Sequence, residues 1–141
     1  MENDLIFLPV VLQVLLTLWL YIALAIAKAR AIKLGEVNEE RRALHDDAWP
    51  DSVLKINNNI RNQFEVPVLF YVLMVAVWAI GAVNLYIHIA AWSFVVNRIV
   101  HSAVHTGSNY VPLRRRVFML GCLILIGLAV FLGYKLITGN T

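Results

Sequence analysis

The sequence has little charge and almost no cysteine. Of its 141 residues only 15% are charged, 60% are hydrophobic, and one is a cysteine. A soluble domain carries about 25% charged and about 45–50% apolar residues. The composition therefore excludes an ordinary water-soluble globule, and it is too apolar for a disordered chain. The lone Cys122 excludes an intrachain disulfide and a thiolate metal cluster. Its neighbours are Leu, Ile and Gly, with no base or cation to activate it, so it reads as a small buried hydrophobe. The net charge of +3 is mild. No basic cluster is interleaved with aromatics, so nucleic acid is not an expected partner. The start, Met-Glu-Asn-Asp, lacks the basic residues that open a secretory signal, and the apolar run behind it is too long for one. That predicts a retained membrane helix.

What is present is long apolar runs, with a mean hydropathy of +0.72. Leu5 to Ala27 has no charge, and only Gln13 and Thr17 are clearly polar. A span needs about 20 such residues. Pro50 stops any helix, and Asp51 or Ser52 is the expected N-cap of the next. That second helix has a short uncharged run, Val66 to Ile80, but its pattern extends back through Phe64, Ile60 and Ile56. Pro67 is expected to kink it. After an uncharged turn at Gly81 to Asn84, a third helix runs from Leu85 to His105. Pro112 suits the first turn of a fourth, whose stretch Val117 to Tyr134 has no charge. The expected fold is all-α: one four-span membrane bundle over residues 1–141, with helices at about 5–33, 52–80, 85–105 and 113–137.

The basic residues predict an orientation. Lys28, Arg30, Lys33, Arg41, Arg42, Lys55 and Arg61 lie in or beside the first connection. Arg98, Arg114, Arg115 and Arg116 flank the third, and only Lys135 remains for the other side. Positive charge marks the cytoplasmic side. Connections one and three are therefore expected there, with both termini opposite.

Charge inside a span costs about 2.5–3.5 kcal/mol at its centre, yet here polar residues cluster. Asn58, Arg61, Asn62 and Glu65 share one helical face by their spacing of three and four, and so do Arg98, His101 and His105. Arg114 to Arg116 open the fourth helix at the same depth, and Lys28 or Arg30 leaves the first one there. Structural roles are open to each: an Arg61–Glu65 or Arg98–Glu65 pair, a core histidine at His101, and interhelical bonds from Asn58 and Asn62 worth about 0.6–2 kcal/mol. Stapling four helices does not need so many polar groups in one layer, however. The basic excess left after Glu65 is paired suits a bound anion. Zinc is disfavoured, because His101 and His105 lack the Glu of HExxH and the arginines repel a cation. Ser102 adjoins His101, but neighbours on a helix do not face each other.

Two motifs carry a resemblance. Ile60-Arg61-Asn62-Gln63-Phe64-Glu65 with Pro67 behind it, and Arg98-Ile99-Val100-His101 followed by Pro112-Leu113-Arg114, resemble the signatures of the MAPEG family, membrane-associated proteins in eicosanoid and glutathione metabolism. The resemblance covers nearly the whole chain. It implies a homotrimer of four-helix subunits, of bacterial type and so in the inner membrane, with glutathione bound between subunits near the cytoplasmic face. It makes Arg61, Asn62, Glu65 and His101 glutathione-binding, with Glu65 for the amino group and Arg61 and Arg30 for carboxylates. Arg98 and His105 join that set as neighbours on the third helix. Arg114 corresponds to the arginine that stabilises the thiolate. His105, Arg115 and Phe118 stand where the prostaglandin-forming members have tyrosine, serine and tyrosine. The resemblance thus implies a transferase, with peroxidase activity as an extension, acting on small lipophilic electrophiles. The alternatives are a non-catalytic lipid-binding scaffold of the same family, or a small transporter. The transporter needs polar residues through the full depth, and the outer half is nearly apolar.

Overall fold

In a bilayer every backbone polar group must be satisfied within the segment, so the apolar runs become helices. The computed structural model describes residues 2–139. Met1, Asn140 and Thr141, the ends of the expected 1–141 unit, lie outside the described residues. The helices are α1 (Phe7–Lys33), α2 (Asp51–Gln63), α3 (Val66–Ala79), α4 (Leu85–Thr106) and α5 (Val111–Thr138). Short 3-10 turns cover Glu2–Ile6 and Asp46–Ala48. Four segments are long and apolar enough to cross a membrane: Asn3–Lys33, Asp51–Ala79, Leu85–Thr106 and Val111–Thr138.

The second span departs from expectation. It is not one kinked helix but two, α2 and α3, broken at Phe64 and Glu65. Pro67 cannot donate to the carbonyl of Gln63, four residues back, and its ring crowds that carbonyl. The helix therefore ends at Gln63, Glu65 turns with φ −99° and ψ −96°, and Pro67 sits in the first turn of α3. The N-cap also differs. Pro50 takes that place in extended geometry, and Asp51 is the first helical residue. Its carboxylate complements the helix dipole instead of capping. Pro112 falls in the first turn of α5. Asn84 caps α4, its side chain accepting from Ile87 N at 3.1 Å.

α4 is the central element: it packs on α1, α2 and α5. Away from the basic connections lies the larger apolar core, built from Phe70, Met74, Val77, Ala91, Phe94 and Leu125 among others. There the rings of Phe70 and Phe94 stack at 4.6 Å. α4 and α5 approach closely at Gly121, where an added Cβ would lie 2.7 Å from Asn97 Oδ1. Asn97 in turn donates to Val117 O at 2.9 Å. Cys122, expected to be buried, is only partly so, because α5 turns much of its surface outward. At the basic end a smaller cluster gathers Leu20, Leu24, Ala31, Val53 and Ile60. Lys28 lies 4.8 Å above the Trp49 ring, which ties it to the first connection and away from the polar layer.

Candidate functional site

α2 and α5 both pack on α4 but share no substantial contact with each other. Residues three and four apart on one face of α4 therefore lie between them. Arg98, His101 and His105 take those places, and all three are buried. Arg98 is 0% exposed. Its Nη2 donates to the backbone oxygen of Asn62 at 3.1 Å. Its Nε and Nη1 are buried without a hydrogen-bond partner, as is Nδ1 of both His101 and His105. The two histidine rings meet edge to face at 5.7 Å. Phe118 of α5 covers the deeper pair, 6.0 Å from the Arg98 guanidinium and 5.8 Å from the His101 ring.

Arg114 closes the line at the start of α5. Its Nη1 donates to Asn109 Oδ1 at 2.6 Å and lies 3.4 Å from His105 Nε2. A cleft of ≈ 230 Å³ opens here, lined by Asp51, Lys55 and Asn58 of α2, His105, Asn109 and Arg114. Arg115 and Arg116 are exposed and line a separate cleft with Pro112.

The polar face read on the second helix points out of the subunit. Asn58, Arg61 and Glu65 are exposed and Asn62 is half-buried. Neither ion pair considered for Glu65 forms. Arg61 pairs with Asp46 of the first connection, Arg98 takes the Asn62 carbonyl, and Glu65 has no ion pair among the described residues. Arg30 stands apart, in a different cleft. It is exposed in a wider cleft of ≈ 630 Å³ between α1 and α2, with Lys55, Glu36, Ser52 and Trp19. One subunit thus gathers Arg98, His101, His105 and Arg114 with the Asn62 backbone. Arg61 and Glu65 face outward from it, and Arg30 lies in a separate cleft.

A second polar cluster was missed from sequence. Gln13 Nε2 donates to Gln63 Oε1 at 2.9 Å, and Gln63 Nε2 reaches Asn59 Oδ1 and Ser102 Oγ, each at 3.2 Å. Thr17 Oγ1 donates to Gln13 O at 3.2 Å. All are buried, and the cluster is neutral. The signal was present. Gln13 and Thr17 are the polar pair of an apolar helix, four apart, while Asn59 and Gln63 ride on the face that Val53, Ile56 and Ile60 define as inward.

The chemistry of the two clusters differs. A buried guanidinium with one hydrogen bond is expensive to hold, because desolvation of an ion costs several kcal/mol without compensation. A line of four basic side chains, with Asp51 the one acid in the lining of the cleft at its outer end, attracts an anion. A thiolate or a carboxylate meets that description, and a metal cation does not. Among the described residues no group of three or more His, Cys, Asp or Glu gathers in a way that holds a metal ion.

Set against known proteins, the model of the MAPEG family matches residues 6–134. No curated protein and no solved structure matches.

Proposed function

This chain belongs to the MAPEG family, and from that membership we propose a glutathione-dependent transferase that joins the glutathione sulfur to small lipophilic electrophiles. Its four spans and the family make it an integral multi-pass membrane protein. The observation that carries the reading is the row Arg98, His101, His105 and Arg114, whose buried Arg98 has two nitrogens without a partner. Such a row fits a ligand with a thiolate and carboxylates, which glutathione is. Glutathione supplies the nucleophilic sulfur: a carbon–sulfur bond forms as the acceptor's leaving group departs with its electron pair.

The residues of the chain divide the work. Arg114, in the first turn of α5, adds its charge to the positive end of the helix dipole and so favours thiolate over thiol. Arg98 lies beneath Phe118 and acts through its field, which weakens slowly with distance where water is excluded. Glu65 suits the amino group and Arg61 a carboxylate. The Asp46 partner of Arg61 is exposed, and an exposed pair is weak enough to exchange for a ligand. Because Arg61 and Glu65 face outward, the site is completed by a neighbouring copy in a homotrimer. Arg30, which lines a cleft apart from that of Arg114, contributes from that neighbour. The basic end faces the cytoplasm, and the acceptor arrives from the bilayer along the exposed apolar surfaces of α1 and α5.

The test is direct. In detergent, the wild-type protein conjugates glutathione to a model electrophile and shows thiolate absorbance. Arg114→Ala lowers both by about tenfold or more. Equal rates, or a wild type that binds no glutathione, would sink the reading. The mass of the protein–detergent complex tests the trimer.

A further inference from the structure

Arg114, Arg115 and Arg116 are consecutive, yet only the first is held. Arg115 and Arg116 are exposed and make no side-chain hydrogen bond or ion pair among the described residues. Arg114 is half-buried, and the 2.6 Å bond to Asn109 Oδ1 fixes its Nη1. That leaves Nη2 and Nε without a hydrogen-bond partner among the described residues, on a side chain that lines the ≈ 230 Å³ cleft.

The Asn109 amide is placed by backbone. Asn109 N donates to Val104 O at 2.8 Å, and Gly107 N to Ala103 O at 3.0 Å. These bonds tie the connection between α4 and α5 to the last turn of α4. Asn109 has φ +51°, and among non-glycine residues of the described chain it alone is in that region. Asparagine tolerates the left-handed region better than most side chains. Its side chain then points back along the start of α5, where Arg114 N bonds Tyr110 O at 3.0 Å. Two short-range constraints therefore converge on one guanidinium.

We propose that Asn109 is a positioning residue: its amide holds the Arg114 guanidinium at the cleft so that Nη2 and Nε are presented to the sulfur. The proposal deepens the transferase reading and rests on it for the identity of the ligand. The geometry of the tether does not depend on that reading. A neutral acceptor in direct contact with the guanidinium suits this role. A carboxylate in its place would hold the arginine equally well and cancel the charge that favours a thiolate.

Asn109→Gly is the informative variant, since glycine keeps the positive φ and removes only the amide. Two readouts on the full-length protein in detergent are needed. The first is the rate of arginine labelling by phenylglyoxal, read at Arg114 against its neighbours Arg115 and Arg116 by peptide mass spectrometry. In Asn109→Gly it rises several-fold at Arg114 alone. The second is glutathione conjugation: kcat falls about tenfold while KM for glutathione changes by less than about twofold, because the lost interaction serves the sulfur more than the peptide. Asn109→Asp separates orientation from charge, leaving Arg114 protected from labelling while thiolate absorbance falls. It also supplies the comparison should the glycine variant not fold. Unchanged labelling in Asn109→Gly, or of Asn109→Asp equal to wild type in thiolate yield, overturns the proposal. So does freed Arg114 with undiminished conjugation. Freed Arg114 in a protein whose wild type forms no glutathione thiolate keeps Asn109 as the tether and sinks the transferase reading instead.

Discussion

α4 carries polar residues on two faces, and the faces behave differently. Toward α1 and α2, Ser102 joins Gln13, Asn59 and Gln63 in a buried amide–hydroxyl network with four members bonded to one another. On the face between α2 and α5, Arg98, His101 and His105 leave several buried nitrogens without a hydrogen-bond partner among the described residues. Both sets lie at one depth of the same helix. The neutral set suits interhelical stapling, because Gln63 bonds Gln13 of α1 and Ser102 of α4, and the two atoms left without a partner, Gln13 Oε1 and Asn59 Nδ2, belong to uncharged amides. The basic set is poor staple material, since its cost is not recovered within the chain. A polar layer in a membrane bundle is therefore not one thing. The part that is neutral and bonds across three helices is structural, and the part that leaves a buried guanidinium largely unpaired is the candidate site.

That contrast breaks if the two faces respond alike to mutation. The largest effect is expected at the open face. Arg98→Met removes a buried cation whose field favours the bound anion, by about 1–2 kcal/mol at an effective dielectric near 20 and separations of about 8–15 Å. Glutathione affinity by calorimetry should fall about five- to thirtyfold, while thermal stability without ligand stays level or rises, because an uncompensated charge leaves the interior. A stability loss with intact affinity would place Arg98 among the staples. At the closed face the outcome reverses. Gln63→Leu strands Gln13 and Asn59, and should lower stability in detergent by about 1–2 kcal/mol with glutathione affinity of the folded fraction unchanged. The smallest effect belongs to the exposed surface. Asp46→Ala frees Arg61 from an exposed pair, changing stability by less than about 0.5 kcal/mol. KM for glutathione should hold or drop, since Arg61 no longer has to exchange partners. A KM that rises would make Asp46 part of the binding surface rather than a competitor for Arg61.

Much of the architecture was legible. Uncharged runs mark the spans, Pro112 marks the start of α5, and the spacing of Arg98, His101 and His105 puts them on one face of α4, where they are found. The second span was read less well. Pro67 was expected to kink a helix that in fact stops at Gln63, because a proline disables the carbonyl four residues back rather than bending the helix at its own position. On α2 the polar motif drew attention to Asn58, Arg61, Asn62 and Glu65. Asn59 and Gln63, one residue over, are the pair that turns inward. The ion pairs were also misjudged. Glu65 was the acid nearest in sequence to Arg61, whereas Asp46 is the one the first connection brings to it.

The sequence by itself determined the membrane-spanning character, the all-helical class and the common depth of the polar residues. Each follows from hydropathy, proline placement and a periodicity that a helix obeys wherever it packs. Only the tertiary structure decided which polar residues bond to one another across helices and which basic ones are buried with nitrogens unpartnered. That depends on the rotation of α2 against α4 and on the gap between α2 and α5, which no local rule sets. It also decided that of three consecutive arginines the first is held, because Asn109 is brought to Arg114 by a turn whose backbone is tied to α4.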